Sequence, residues 1–419
     1  MDARTRVWSG CALILSGLVP NMGSAVVDGP GDYREGYEQA DYATRSSALA
    51  ARVGSAADLL AIAWTPPLGL PPVPVPEGNP LTREKIELGR KLFFDRRLSL
   101  NGTQSCGMCH IPEQGFTNNE IATAVGIEGR DVGRNAPTLY NVAYKRHLFH
   151  DAREHSLEHQ AWQPLINPLE MANPSIGRVL VLLRELPDYR GLFEAAFADR
   201  GATLETVGQA FASYQRTLLS GNSPFDRWHF GGESDALDPA AQRGFQLFIG
   251  KAGCVQCHTI DEQYALFSDD ATHNTGIGHA ATMGRPPAAR RVQLAPGVFG
   301  SVAAEVVTSV SQTAPSNDLG RYAITLNPAD RWKYRTPSLR NIALTAPYMH
   351  DGSIADLRGV VAFYNRGGVA NPLLSPMIRP LGLGESERED LVSFLNSLTG
   401  DSIETLVRDA FAAPIGDAE

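Results

Sequence analysis

The spacing of apolar and polar positions along the chain predicts short helices separated by long polar connections. Residues 205–220, "ETVGQAFASYQRTLLS", repeat apolar side chains at helical intervals. Residues 388–400, "REDLVSFLNSLTG", predict a closing amphipathic helix with Gly400 past its end. Residues 260–330 are rich in Gly, Ala, Thr and Pro, and their weak periodicity predicts long loops. The pattern therefore favours a mainly all-α protein with little β-structure.

A short apolar run near the N-terminus is typical of an export signal. Arg4 and Arg6 precede the mostly apolar residues 7–19, and a stretch of small residues ends at Ala25. We interpret residues 1–25 as a signal peptide that is removed on export. The alternative is an ordinary buried N-terminal helix.

Composition and charge narrow the class of protein. With 43% hydrophobic and 20% charged residues, the chain is an ordinary globular protein able to bury a core. Its formal net charge of −9 disfavours a nucleic-acid role based on phosphate neutralisation. No run approaches the roughly 18 apolar residues that a membrane span needs. The length of 419 residues predicts two or three domains.

Two copies of one motif use every cysteine that follows the predicted signal peptide. The copies, "CGMCH" and "CVQCH", are formed by Cys106, Cys109 and His110, and by Cys254, Cys257 and His258. C-x-x-C-H is the attachment signature of c-type haem, in which each sulfur bonds a porphyrin vinyl group and the histidine ligates the iron. A thioredoxin-like redox pair or a zinc ribbon would explain C-x-x-C but not the histidine. The motifs therefore predict two covalently bound haem c groups.

Similar segments precede the two motifs. "LGRKLFFDRRLSLNGTQSCGMCH" and "RGFQLFIGKAGCVQCH" each contain a glycine, a hydrophobic helical turn ending in phenylalanine, a loop and the motif. This weak internal repeat predicts two cytochrome-c-like helical domains. The predicted order is the signal peptide 1–25, a Pro-rich N-terminal extension 26–79, an N-terminal haem domain 80–235, a C-terminal haem domain 236–400 and a C-terminal tail 401–419.

Further stretches carry a family resemblance: "LGRKLFFDRRLS", "GRNAPTLYN", "INPLEM", "SPFD", "RTPSLRNIALTAPYMHDGS" and "FYNRGG". With the two haem motifs, they make residues 80–400 resemble the bacterial di-haem cytochrome c peroxidase and MauG family. The resemblance implies a periplasmic oxidoreductase whose N-terminal haem reacts with hydrogen peroxide and whose C-terminal haem is a six-coordinate electron-transfer centre. The implied reductant is a small c-type cytochrome or a periplasmic protein substrate, and a homodimer stays open.

The resemblance also implies a peroxide-reactive pocket at the first haem. Peroxidases of the family carry a histidine ligand in the loop before "RN(S/A)PT", and the matching residue here is Ile127, which cannot ligate iron. The first haem is therefore expected to be five-coordinate at rest, as in MauG. The family's distal Gln and Glu match Gln160 and Glu170. The carboxylate is expected to move a proton between the two oxygens of peroxide by general acid–base catalysis.

The second haem needs a sixth ligand. In the family's peroxidases this ligand is a methionine, and the matching position here is Tyr364, where MauG also has tyrosine. Tyrosinate is an anionic donor that favours ferric iron, whereas methionine raises the reduction potential. The alternatives are that Tyr364 is a core aromatic residue and that Met349 or Met377 is the ligand.

A calcium ion between the haems is implied by the resemblance alone. Its expected ligands are the Asn135 side chain and the backbone carbonyls of Thr345 and Pro347, since calcium prefers oxygen ligands. His350 matches a family histidine near the haems, and we assign it no chemistry.

One position departs from the family. Its inter-haem tryptophan, in "FWDGR", is replaced by His150 in "FHDAR". The family tryptophan lies on the electron path, so its replacement leaves three alternatives. Either electrons are transferred past His150 without its taking part, Trp162 contributes to the path, or His150 approaches an iron. Trp228 and Trp332 are candidate surface sites at which electrons enter.

The rest of "HLFHDAREHSLEH" is not expected to form a metal site. Ser156 is predicted to be a helix N-cap. His155 and His159 then lie around the helix start and face solvent, and His147 is a loop residue. Two pairs of histidines at helical spacing are thus interpreted as neighbours of the haem sites.

Three functions remain open at this point. Ile127 and Tyr364 favour MauG-like oxidation of a partner protein, whereas His150 weakens it. A cytochrome c peroxidase that uses a small c-type cytochrome is the second function. The third is a non-catalytic di-haem electron-transfer cytochrome, against which Gln160 and Glu170 argue.

Overall fold

The computed structural model describes residues 54–283, 289–295, 298–303 and 317–412. The predicted signal peptide lies outside the described residues. Within them no helix is both long enough and apolar enough to cross a membrane.

The described chain is mostly helical, as its pattern predicts. The helices are α1 Leu59–Trp64, α2 Arg83–Phe94, α3 Cys106–Cys109, α4 Leu157–Gln160, α5 Trp162–Ile166, α6 Ile176–Glu185, α7 Leu192–Ala196, α8 Leu204–Gln215, α9 Pro224–His229, α10 Pro239–Ile249, α11 Ile277–Met283, α12 Tyr322–Thr325, α13 Leu357–Asn365, α14 Glu385–Asn396 and α15 Ile403–Ala410. The antiparallel strand pairs are β1 Thr272–His273 with β4 Tyr334–Arg335, and β2 Ala289–Ala295 with β3 Val298–Ala303. Little β-structure is present in the described part of the chain.

Individual element predictions fared differently. Helix α8 confirms the periodic stretch 205–220. The predicted closing helix exists as α14, but it ends at Asn396 and is not the last helix, because α15 follows it. The stretch 260–330 is not purely loop, since it contains α11, a hairpin and α12.

The helix that precedes each haem motif crosses a second helix at a glycine. A Cβ atom added to Gly89 of α2 would lie 2.0 Å from the Ala210 carbonyl oxygen of α8. A Cβ added to Gly244 of α10 would lie 2.0 Å from the Asp390 carbonyl oxygen of α14. The glycine of the sequence repeat is therefore required for close helix contact in both halves.

Two apolar clusters lie beneath these crossings. The first includes Phe93 of α2 and Phe211 of α8, and the second includes Phe245 of α10 and Phe394 of α14. Leu406, from the segment expected to be a tail, is fully buried in the first cluster. Residues of α15 thus pack in the same cluster as residues of α1 and α2.

A second repeat, with a spacing of 200 positions, joins the two halves. Asn141 and Asn341 both have left-handed backbones, with φ of 58° and 60°, and each is followed by a 3-10 turn. Isolated bridges then pair Leu148 with Glu154 and Tyr348 with Ile354. His150 and His350 therefore occupy equivalent places.

A buried ion pair lies beside the second cluster. The Arg340 guanidinium donates to both carboxylate oxygens of Asp226 at 2.9 Å, and both side chains are almost fully buried. Arg340 also donates to the carbonyl of Gly69. The Pro-rich extension is thereby tied to the second half.

Candidate functional site

Both C-x-x-C-H motifs have the same histidine geometry. Nδ1 of His110 lies 3.1 Å from the Phe116 carbonyl oxygen, and Nδ1 of His258 lies 2.8 Å from the Phe267 carbonyl oxygen. A carbonyl only accepts, so each Nδ1 carries the proton and each Nε2 is left with a free lone pair. A fixed tautomer of this kind is how proteins orient histidine ligands.

The motif side chains are half-buried, and their surroundings favour the neutral forms. Burial lowers the pKa of His110 to about 4 and also lowers that of His258. Burial raises the pKa of Cys106 and Cys254 to about 12. The thiols of all four motif cysteines are free. Neutral thiols and imidazoles in apolar surroundings fit attachment to a large apolar macrocycle.

Beside the first motif, Ile127 and Glu170 form one packed unit. The Ile127 amide donates to the Glu170 carbonyl at 2.8 Å, and Ile127 is 1% exposed. A Cβ on the preceding Gly126 would lie 1.9 Å from the Leu169 carbonyl oxygen. The loop at Gly126 and Ile127 therefore packs tightly against residues 169–170 and places an apolar side chain in its interior.

The Glu170 carboxyl group faces the first motif. Burial raises its pKa, partly offset by the Asn167 amide, which donates to Glu170 Oε1 at 2.6 Å. The negative charge of Glu170 in turn raises the pKa of Cys106 and of Cys109. Gln160 ends α4 and is half-buried, and no hydrogen bond between described residues links it to Glu170.

The second motif opens into a large cavity. Its lining includes the motif residues Cys254, Cys257 and His258 and the ligand candidates Tyr364, Met349 and Met377. Burial raises the pKa of Tyr364, and the two motif thiols, when ionised, would raise it further. Met377 Sδ lies 4.0 Å from Cys257 Sγ, one of the two motif sulfurs. The structure brings all three ligand candidates to this cavity.

The residues expected to bind calcium meet in the same cavity. Asn135, Thr345 and Pro347 all line it. The amide nitrogen of Asn135 donates to the Ala122 carbonyl at 3.0 Å, which leaves its amide oxygen as the group free to bind a cation. This donor set fits the oxygen preference of calcium.

His150 lies where the two halves exchange backbone hydrogen bonds. Its carbonyl accepts from the Arg335 amide at 2.7 Å, and the His350 carbonyl accepts from the Asn135 amide at 2.8 Å. Nε2 of His150 lies 2.9 Å from the Asn135 carbonyl oxygen, so it is the donor. Burial lowers the pKa of His150 to about 3, which keeps the ring neutral. His150 thus joins the halves through its backbone carbonyl, which accepts from Arg335, while its ring donates within the first half.

Charged and aromatic residues that sequence reasoning missed surround this junction. Arg134 pairs with Asp151 and with Asp318, each at 2.7 Å. The Tyr334 ring stacks on His350 with ring centroids 3.6 Å apart. Their positions in the sequence could have indicated them, because Arg134 immediately precedes Asn135 and Tyr334 immediately precedes Arg335, the two residues whose amides donate across the junction.

The tryptophan predictions need correction. Trp332 is only 9% exposed, and its indole donates to Thr282 at 2.8 Å, so its prediction as a surface residue is wrong. Trp162 is buried in the first apolar cluster, where its indole donates to the Leu204 carbonyl. Trp228 is half-buried.

The remaining histidines of the 147–159 stretch behave as predicted. His155 and His159 are exposed, and the Ser156 hydroxyl accepts from the His159 amide at the N-cap. His147 is a loop residue whose Nδ1 pairs with Asp270 at 3.1 Å.

The arrangement matches known proteins. The family model described as "Di-haem cytochrome c peroxidase" matches residues 83–235. The methylamine utilization protein MauG of Methylorubrum extorquens is 38% identical over 330 residues, which cover 78% of this chain and 82% of that protein. A cytochrome-c peroxidase of Denitromonas iodatirespirans is 38% identical over 351 residues, covering 82% and 89%. The solved structure of a MauG-like protein associated with microbial copper homeostasis has a TM-score of 0.68 at 33% identity, covering 84% and 99%.

The fold and the paired sites thus define a di-haem peroxidase, an oxidoreductase. The chain belongs to the di-haem cytochrome c peroxidase family, which implies haem cofactors.

Proposed function

We propose that this enzyme binds one covalent haem c at each C-x-x-C-H motif and uses hydrogen peroxide at the first to oxidise a periplasmic partner protein through the second. Domains 80–235 and 236–400 would each carry one haem. The observation that carries the proposal is the packed unit of Ile127 and Glu170 beside the first motif. It supplies a carboxyl group and no loop ligand.

At the first site, the chain would hold the haem and move the proton. Cys106 and Cys109 anchor the group, and His110 Nε2 is oriented to ligate its iron. A bound haem supplies an iron centre that exchanges electrons with peroxide. The Glu170 carboxylate takes a proton from one peroxide oxygen and returns it to the other, so that water can leave. Gln160 is proposed to help orient peroxide.

At the second site, Tyr364 is proposed as the sixth ligand. It lines the same cavity as both motif sulfurs and His258. The Met377 sulfur instead lies 4.0 Å from the Cys257 sulfur, to which the haem would be attached. An anionic oxygen donor favours oxidised iron, which suits a site that stores oxidising equivalents for a partner.

Peroxide reactivity of the fully oxidised enzyme tests the first site. We expect stopped-flow mixing of the diferric enzyme with peroxide to give an immediate absorbance change, because Ile127 would supply no ligand to the iron. Ile127→His should make the reaction depend on prior reduction. A wild-type enzyme that reacts only after partial reduction would overturn the proposal.

A cytochrome c peroxidase role is the second candidate, and the 38% identity to the Denitromonas iodatirespirans peroxidase favours it. Steady-state oxidation of reduced small c-type cytochromes by peroxide distinguishes the two. Fast turnover would assign the cytochrome role. Two low-spin haems that do not react with peroxide would assign a non-catalytic electron-transfer protein.

Calcium binding and export complete the proposal. The Asn135 side chain and the carbonyls of Thr345 and Pro347 are proposed to hold one calcium ion at the junction of the halves. Residues 1–25 are proposed to direct the enzyme to the periplasm. Elemental analysis of protein purified from that compartment, with N-terminal sequencing, tests both.

A further inference from the structure

Lys145 is a half-buried amine that the proposed peroxide chemistry does not use. It follows the 3-10 turn Val142–Tyr144 in the first half, and its ammonium group donates to the Thr138 carbonyl at 3.2 Å. Burial lowers its pKa to about 7. It nevertheless lines the cavity of the second half, together with Cys254 and Cys257.

The charges around Lys145 do not balance. Arg335 is buried in the same cavity wall, and one carboxylate, that of Asp270, attracts both cations. Asp270 Oδ2 is already engaged by the amides of Arg146 and His147, at 2.8 and 3.0 Å, and by the His147 ring. Among the described residues no carboxylate forms an ion pair with Lys145. The half-buried Lys145 and the buried Arg335 therefore share one carboxylate, and a charge withdrawn from water without a partner is costly.

We propose that Lys145 pairs with a propionate carboxylate of the haem bound at the second motif and thereby raises the reduction potential of that haem. This inference rests on the proposed haem binding. Propionates are the charged groups of the porphyrin edge, and Lys145 lines the cavity that holds the second motif. A nearby positive charge stabilises the reduced haem, which carries one more electron than the oxidised haem.

The propionate of the first haem is the competing source of the carboxylate. The charge of Lys145 lowers the pKa of His110, so Lys145 is also within electrostatic reach of the first site. The two sources differ in which haem responds to a change at Lys145. The potentials of the two haems must therefore be measured separately.

Spectroelectrochemical titration of the purified holoenzyme tests the proposal. Lys145→Met should lower the potential of the second haem by an amount equal to at least a tenfold change in its redox equilibrium, about 59 mV for one electron. Lys145→Arg keeps the charge and should restore most of the wild-type potential. The matched control is Lys251→Met. Lys251 is exposed, lies three positions before Cys254 and pairs with Glu387, so its removal should shift the potential little.

Haem content, measured from the pyridine haemochrome spectrum, separates the two levels of the argument. A Lys145→Met enzyme with two haems and an unchanged second potential would overturn the role of Lys145 and leave the proposed function standing. A shift confined to the first haem would overturn the assignment to the second. A wild-type protein without haem at the second motif would overturn both proposals.

Discussion

Helix α13 in the second half runs unbroken from Leu357 to Asn365 and carries Tyr364 into the cavity. The equivalent stretch of the first half, 200 positions earlier, is broken into α4 and α5, and it has Pro164 where the second half has Tyr364. Proline lacks the amide that a continuing helix would use. One framework thus supplies an aromatic oxygen donor in one half and a broken helix bearing Gln160 in the other.

The comparison teaches that the two halves share the same backbone arrangement and that single residue differences determine which side chains each site offers. Each half uses a glycine crossing, a Phe carbonyl on the haem-motif histidine and a left-handed Asn. The halves differ at the equivalent positions 164 and 364, which are proline and tyrosine, and only the tyrosine lines the cavity of the second motif. The two sites can therefore be tested independently by changing those residues.

The largest effect is expected at Glu170. Glu170→Gln should slow the reaction with peroxide roughly 100- to 10,000-fold, because the amide cannot carry a proton. Burial raises the pKa of Glu170, so the ionised base is lost as pH falls through that raised pKa. The wild-type rate should therefore rise with pH through this range, and the variant should lose that dependence in stopped-flow measurements.

The matched control for Glu170→Gln is Glu128→Gln. Glu128 is exposed on the loop next to Ile127 and pairs with Arg130. Its substitution should leave both the rate and the pH profile unchanged. Equal effects of the two substitutions would remove Glu170 from the proposed mechanism.

The glycine crossings predict equal sensitivity of the two halves. Gly89→Ala and Gly244→Ala should each destabilise the enzyme by about 1–3 kcal/mol, since the new Cβ would overlap a backbone carbonyl. Gly177→Ala is the control, because its Cβ would meet nothing closer than 3.7 Å and alanine favours a helix. Denaturant unfolding measures all three. A tolerated alanine at only one crossing would show that the halves do not share this constraint.

A smaller effect is expected at Tyr364. Tyr364→Met should raise the potential of the second haem by the equivalent of about a tenfold change in its redox equilibrium, because methionine favours reduced iron. Met377→Leu should leave that potential unchanged. The opposite pattern in a potentiometric titration would make Met377 the ligand.

The sequence predicts this molecule unevenly, for physical reasons. The helices, the N-cap Ser156 and the two motifs depend on short-range spacing, and such features can be read along the chain. The contact between His150 and Arg335 and the burial of Trp332 depend on residues far apart in sequence, which spacing does not encode. The 200-residue repeat is visible in the sequence once Asn141 and Asn341 are aligned, but its meaning required the shared left-handed backbone.

The position of α15 has a consequence for the order in which the enzyme matures. Its carboxylate Asp409 pairs with Arg90 of α2 and accepts from the Ala57 amide, and Leu406 fills the first core. During synthesis α2 emerges long before α15. The first cluster therefore cannot be fully packed until α15 has been synthesised. Contacts so distant in sequence slow folding. A truncation just before Ile403 would therefore damage the N-terminal haem site more than the nearer C-terminal one.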